Sequence, residues 1–197
     1  MNLANQLTFS RIILAFVFII FIHQPGVAPA IIATFIFTIA SLTDYFDGYV
    51  ARKYGLENDL GKLMDPIADK LLILSAFVVF VQMRIIADWM MMLILAREIL
   101  ITGLRMFALT KKKVIAAEKA GKHKTVSQIA AVFIILGFII FERSVVALSG
   151  WTSTVELWWT VGINLTMVVT VALTLISGFS YLWNNRNLVS LEGSRGQ

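Results

Sequence analysis

The stretch that decides the fold and the chemistry reads Asp44-Tyr-Phe-Asp47-Gly48-Tyr-Val-Ala51-Arg52, then eight residues, then Gly61-Lys-Leu-Met-Asp65-Pro-Ile-Ala-Asp69. Asp44 and Asp47 are three residues apart, so they share one face of a helix. Asp65 and Asp69 are four residues apart and share a face of the next helix. We expect these helices to be antiparallel neighbours joined by a loop of about a dozen residues, which brings four carboxylates to one end of a helix pair.

Four converging carboxylates repel one another strongly unless cations neutralise them. Oxygen ligands suit hard ions, so the pattern predicts Mg²⁺ or Mn²⁺, and four carboxylates can bridge two such ions. Two ions of this kind bind and polarise a pyrophosphate. Gly48, Ala51 and Gly61 lack bulk and permit a nucleotide to approach the backbone, while the Arg52 guanidinium can form a fork on a phosphate.

Outside this stretch the chain is dominated by long uncharged runs. Of its 197 residues, 58% are hydrophobic, above the share of about 45–50% in soluble domains. We therefore predict an all-α integral membrane protein, one domain over residues 1–197, with six transmembrane helices. The predicted spans are Leu7–Ile22, Val27–Thr43, a third from about Leu63 to Met83, Trp89–Leu109, Thr125–Phe141 and Leu157–Asn185.

Basic residues are distributed unevenly between the two sides of these spans. One side carries Arg186 and the loops with Arg52, Lys53, Lys62, Lys111, Lys112, Lys113, Lys119, Lys122 and Lys124, whereas the loops opposite carry Arg84 and Arg143. Basic loops face the cytoplasm, so both termini and the aspartates are expected on that side. The net charge of +5 is then explained by anionic lipid and not by nucleic acid. The chain has no cysteine, which excludes disulfides and thiolate chemistry.

The aspartate stretch resembles the signature of the CDP-alcohol phosphatidyltransferase family, D-x-x-D-G-x-x-A-R, eight residues, G-x-x-x-D-x-x-x-D. All eight specified positions match, and the length and six predicted helices also agree with the family fold. The resemblance implies transfer of a phosphatidyl group from a CDP-lipid to a small alcohol, catalysed at the cytoplasmic side of a membrane. It also implies a homodimer.

The same resemblance implies roles for individual residues. Asp44, Asp47, Asp65 and Asp69 would bind the two metal ions, and Asp69 would also act as the general base on the acceptor hydroxyl. The CDP-lipid would contact Gly48, Ala51, Arg52, Asn58 and Gly61, together with Asn5 and Thr8 of an N-terminal segment that is similar to the family's nucleotide-contacting segment.

Two further stretches bear on the acceptor. The segments 97–105 and 121–128, and the Asn-x-x-Thr-x-x-Arg pattern ending at Arg11, are similar to bacterial phosphatidylglycerophosphate synthases. This similarity implies CDP-diacylglycerol and sn-glycerol 3-phosphate as substrates and a bacterial inner membrane as the location. Arg105, Lys122 and Lys124 are the candidates for binding the acceptor's phosphate, because a phosphorylated acceptor needs a cationic pocket.

Several alternatives stay open at this stage. Inositol phosphate, serine or phosphatidylglycerol could be the acceptor. Lys111–Lys113 has the character of an ordinary positive-inside loop. Arg97 and Glu98 could serve helix packing, and the sequence assigns Glu98 no partner. A divalent-cation transporter would also carry intramembrane acids, although its site is usually at the bilayer midplane on broken helices. A structural membrane scaffold is a third class.

Overall fold

The described part of the chain forms a bundle of six helices in chain order. The computed structural model describes the backbone of residues 3–54, 59–110, 119–148 and 151–186, and the side chains of residues 10–43, 70–108, 124–146, 148 and 151–186. The helices are α1 Leu3–His23, α2 Val27–Tyr54, α3 Asp59–Gln82, α4 Asp88–Thr110, α5 Lys119–Ala147 and α6 Ser153–Asn184. The all-helical prediction and the order of its six elements are confirmed.

The bundle has two ends, and the first connection defines one of them. The chain reverses between α1 and α2 at Gly26, whose φ of 99° is accessible to glycine without strain. Arg143, near the end of α5, donates to the carbonyl oxygens of Ile22 at 2.8 Å, Gln24 at 2.8 Å and Gly26 at 3.1 Å. We call this end, with the α1–α2 connection and Arg143, the turn end.

A side-chain contact fixes the direction of α3. His23 Nε2, at the end of α1, lies 3.1 Å from Gln82 Oε1, at the end of α3, so α3 also finishes at the turn end. Arg84 follows with a φ of 59°, and the chain reverses into α4. Since α2 starts at the turn end and α3 finishes there, these two helices are antiparallel. The opposite end, where α2 finishes and α3 begins, is called the signature end.

The link between α2 and α3 is shorter than the sequence suggested. The expected loop of about a dozen residues is wrong, because α2 continues to Tyr54 and α3 already begins at Asp59. The helical segments run through the aspartate stretch, and residues 55–58 separate them.

The apolar core fills the half of the bundle nearer the turn end. Phe18, Phe37 and Phe133 form a chain of ring contacts across α1, α2 and α5, with centroids 5.7 and 5.4 Å apart. At the start of α6, Trp159 stacks on Phe138 of α5 at 4.1 Å. These contacts hold the helices together on the side of the bundle nearer the turn end.

The described outer surface carries many large apolar side chains, among them Phe16, Phe35, Met92, Ile176 and Phe179. Large contiguous apolar surface is unusual for a soluble monomer and is expected against lipid. Within the described residues, Lys124–Val146 and Ser153–Asn184 are long and apolar enough to cross a membrane, and Ser10–His23, Val27–Thr43 and Lys70–Gln82 are shorter apolar helices. The fold therefore has the character of a membrane protein.

Candidate active site

The signature aspartates occupy matched depths on two helices. Asp44 lies ten residues before the end of α2, and Asp69 lies ten residues after the start of α3. With a helical rise of about 1.5 Å per residue, both backbone positions are about 15 Å from the α2–α3 connection. Because the two helices are antiparallel and packed against each other, the acidic positions of both lie at one level of the bundle.

The side chains of the signature lie outside those that the structure describes. This applies to the four aspartates, to Gly48, Ala51, Arg52 and Gly61, and to Asn5, Thr8 and Lys122, while Asn58 lies between the described helical segments. Their convergence on metal ions and on a CDP-lipid stays a prediction. Among the side chains that are described, no group of three or more His, Asp or Glu forms a metal site. The donor set of four carboxylates at one level nevertheless fits two hard divalent ions.

A buried carboxylate on α4 is the centre of the polar groups that the structure does describe. Glu98 is 3% exposed. Its Oε1 accepts a hydrogen bond from Lys124 Nζ of α5 and lies 3.4 Å from Arg97 Nη1. Its Oε2 lies 3.1 Å from Lys70 Nζ of α3. We call Lys70, Arg97, Glu98 and Lys124 the Glu98 cluster.

The cluster continues through neutral polar groups to α6. Arg97 Nη2 donates to Ser177 Oγ at 2.9 Å, and Lys70 Nζ donates to Thr102 Oγ1. One turn away, Gln128 Nε2 donates to Thr174 Oγ1 at 3.3 Å, and both side chains are buried. The result is a polar layer that joins α3, α4, α5 and α6 through described side chains. Polar groups at such depth are stable when they satisfy one another.

The Glu98 cluster is not electrically neutral. In the described part of the chain it sets three cations against one carboxylate, which leaves two positive charges. Arg97 Nε is buried and has no hydrogen-bond partner among the described residues, and the same is true of Tyr181 Oη on α6. A buried cationic group with unused donors is suited to a phosphate.

The predicted acceptor-binding residues that are described both lie in the signature half. Lys124 is 5% exposed and is paired with Glu98. Arg105 is exposed, and its guanidinium carbon lies 5.9 Å from the ring centroid of Tyr181. Arg105 is seven residues beyond Glu98, or about 10 Å along α4. The structure thus gives both residues positions on the side of the aspartates, and their contact with a phosphate stays a prediction.

Sequence reasoning overlooked Lys70 and left Glu98 without a partner. Lys70 directly follows Asp69, the last residue of the signature, and has no specified position in that pattern. The available signal was Glu98 itself, because an ionisable residue inside an apolar span requires a partner of opposite charge. The sequence does not say which of the basic residues supplies it.

Known proteins that are similar to this chain belong to the family that the signature indicates. Residues 1–162 match the model of the CDP-alcohol phosphatidyltransferase family, and the chain belongs to this family. It is 34% identical over 180 residues to the CDP-diacylglycerol–glycerol-3-phosphate 3-phosphatidyltransferase of Rickettsia bellii, covering 91% of this chain and 93% of the relative. The Bacillus subtilis enzyme of the same name is 40% identical over 147 residues, covering 68% of this chain and 76% of the relative.

A third relative carries a related name. The probable phosphatidylglycerophosphate synthase of Mycobacterium tuberculosis is 40% identical over 134 residues, which is 66% of this chain and 64% of the relative. The family resemblance that the signature indicated is therefore confirmed.

Proposed function

We propose that this protein transfers the phosphatidyl group of CDP-diacylglycerol to sn-glycerol 3-phosphate, giving phosphatidylglycerophosphate and CMP. The observation that carries the reaction class is the family match over residues 1–162. The acceptor is supported by relatives named for glycerol 3-phosphate and by a buried cationic cluster in the signature half of the bundle.

The proposed reaction needs no covalent enzyme intermediate. The acceptor's hydroxyl oxygen attacks the phosphorus that carries the diacylglycerol, its proton passes to the Asp69 carboxylate, and the bond from that phosphorus to CMP breaks. Asp44, Asp47, Asp65 and Asp69 would hold two Mg²⁺ or Mn²⁺ ions. When bound, such ions stabilise the charge that develops on the pyrophosphate and on the leaving CMP.

The remaining residues orient the two substrates. Asn5, Thr8, Gly48, Ala51, Arg52, Asn58 and Gly61 would contact the CDP group. Arg105, Lys122 and Lys124 would bind the acceptor's phosphate through charge-assisted hydrogen bonds. The acyl chains would lie in the bilayer, beside the apolar outer surface.

The cellular setting is part of the same proposal. Residues 1–197 would form one domain with six membrane-crossing helices in a bacterial inner membrane, with both termini and the active site on the cytoplasmic side. The uneven distribution of Lys and Arg supports this orientation. A homodimer is proposed from family membership alone.

The deciding experiment measures CMP release by the purified protein in detergent with CDP-diacylglycerol, Mn²⁺ and one acceptor at a time. Glycerol 3-phosphate is expected to support turnover, whereas inositol phosphate, serine and phosphatidylglycerol are not. Turnover with inositol phosphate and none with glycerol 3-phosphate would refute the proposed acceptor.

The aspartates are tested in the same assay. Asp65→Asn and Asp69→Asn are each expected to abolish CMP release while the protein still inserts into membranes and purifies like the wild type, because each removes a negative charge from the metal site. Unchanged activity of Asp69→Asn would favour a structural scaffold. Metal flux into liposomes that Asp65→Asn eliminates would favour a transporter.

A further inference from the structure

Glu98 is a buried ionisable residue on α4 to which the proposed reaction assigns no role. It lies on α4, which contributes no signature residue, and its carboxylate contacts cations from α3, α4 and α5 at once. Lys70 lies 3.1 Å from one oxygen, and Arg97 and Lys124 contact the other. A carboxylate that only joined two helices would need one partner.

One of these cations is next to a predicted functional residue, and another is itself predicted to be functional. Lys70 is the residue after Asp69, the predicted general base, and Lys124 is a predicted ligand of the acceptor's phosphate. Glu98 therefore links the segment of α3 that carries the base to the lysine on α5. Thr102 fixes the Lys70 ammonium from a second side, one turn further along α4.

The charges of the four described residues in the cluster are suited to an anion. Glu98 neutralises one of the three cations and leaves two positive charges within the described cluster. A phosphate monoester carries about −1.5 to −2 at neutral pH, so it matches the remaining charge. Each ammonium has three donors. Among the described residues, Lys70 contacts Glu98 and Thr102 and Lys124 contacts Glu98, so each lysine has at least one donor without a partner in that part of the chain.

We propose that Glu98 is a positioning residue for the phosphate-bearing acceptor: it holds Lys70 and Lys124 as a pair whose unused donors bind the acceptor's phosphate. This inference rests on the proposed function, because it requires a phosphorylated acceptor. It adds Lys70 to the phosphate-binding residues and gives Glu98 a role beyond helix packing. Without Glu98, the cations would repel one another, and Lys70 and Lys124 would move out of the arrangement that binds the phosphate.

The test compares the KM values of the two substrates in Glu98→Gln, which has nearly the same shape but no charge. The KM for glycerol 3-phosphate is expected to rise roughly tenfold to hundredfold, the range for losing one hydrogen bond to a charged group. The KM for CDP-diacylglycerol should stay within about twofold, since uniform damage to the fold would change both. Glu142→Gln is the matched control, because it makes the same chemical change near the turn end and is expected to change neither value.

A charge exchange separates positioning from a simple ion pair. The double variant Glu98→Lys with Lys124→Glu keeps the net charge and an opposite-charge pair between α4 and α5, but it moves the ammonium to the other helix. Its thermal stability should exceed that of Glu98→Lys alone, while its KM for glycerol 3-phosphate stays raised. Recovery of both stability and KM would show that the pair is only structural and would overturn the proposal.

The remaining outcomes are also decisive. Should Glu98→Gln fail to fold, Glu98→Asp retains the charge but withdraws the carboxylate by one methylene, and a selective rise in the KM for glycerol 3-phosphate is again expected. Equal changes in both KM values would overturn the proposal. Wild-type protein that releases no CMP with glycerol 3-phosphate contradicts the proposed function, a result that the wild-type arm gives independently of any Glu98 variant.

Discussion

Replacing Gly178 by alanine tests the packing of α4 against α6 at a close contact. A Cβ atom at Gly178 would lie 2.9 Å from Arg97 Cγ, 3.4 Å from Nε and 3.7 Å from Cδ. Carbon atoms pack at about 3.5–4.0 Å, so the methyl group and Cγ must separate. Cγ is near the backbone of Arg97, and moving it either shifts α4 from α6 or draws Nη2 away from Ser177 Oγ, now 2.9 Å distant.

The expected loss of stability follows from two opposing effects. Overfilling a packed contact costs about 1–3 kcal/mol, whereas alanine in place of glycine within a helix recovers about 0.5–1 kcal/mol. Taking the middle of each range, the free energy of unfolding should fall by a net value of about 1 kcal/mol. For a chain of this size each kcal/mol lowers Tm by about 2–4 °C.

The assay is thermal unfolding of the purified protein in detergent, with Gly162→Ala as the control. Gly162 is on the same helix, and a Cβ there meets no atom within 4 Å. Its substitution should leave Tm unchanged or raise it slightly. Equal Tm values for the two variants would refute the close approach of α4 and α6 at Arg97.

Three further predictions concern other parts of the bundle. Arg143→Ala removes the donors to three carbonyl oxygens at the turn end and should lower the free energy of unfolding by about 1–3 kcal/mol. Arg143→Lys should give an intermediate loss. If chemical unfolding shows no change for Arg143→Ala, water replaces the guanidinium fully. Gln128→Leu and Thr174→Val each leave a buried polar partner unsatisfied, and each should lower the free energy of unfolding by about 1–3 kcal/mol. The double variant should be nearly as stable as the wild type. Strictly additive losses in this double-mutant cycle would contradict the hydrogen bond between the two side chains. Arg105→Ala should raise the KM for glycerol 3-phosphate more than that for CDP-diacylglycerol, and equal effects would remove Arg105 from the acceptor's site.

Much of the fold followed from local sequence. The order of the six helices is set by the lengths of apolar runs and the turn residues between them, which are properties of neighbouring positions. The loop between α2 and α3 was predicted to be too long: the sequence places the aspartates on helices, but it does not show that α2 continues to Tyr54 and that α3 begins at Asp59. The family was also evident from sequence, since eight residues at fixed spacing specify both the carboxylates and the small residues around them.

The partners of Glu98 were decided only by the tertiary structure. Lys124 is 26 residues away and Ser177, the partner of Arg97, is 80 residues from that arginine. No periodicity connects residues at such separations; their contact depends on how α3, α4, α5 and α6 pack. The sequence determined which charges the chain carries and on which helix each one lies. The packing determined which charges meet, because an ion pair in an apolar bundle forms between groups that the helix axes bring within a few ångströms.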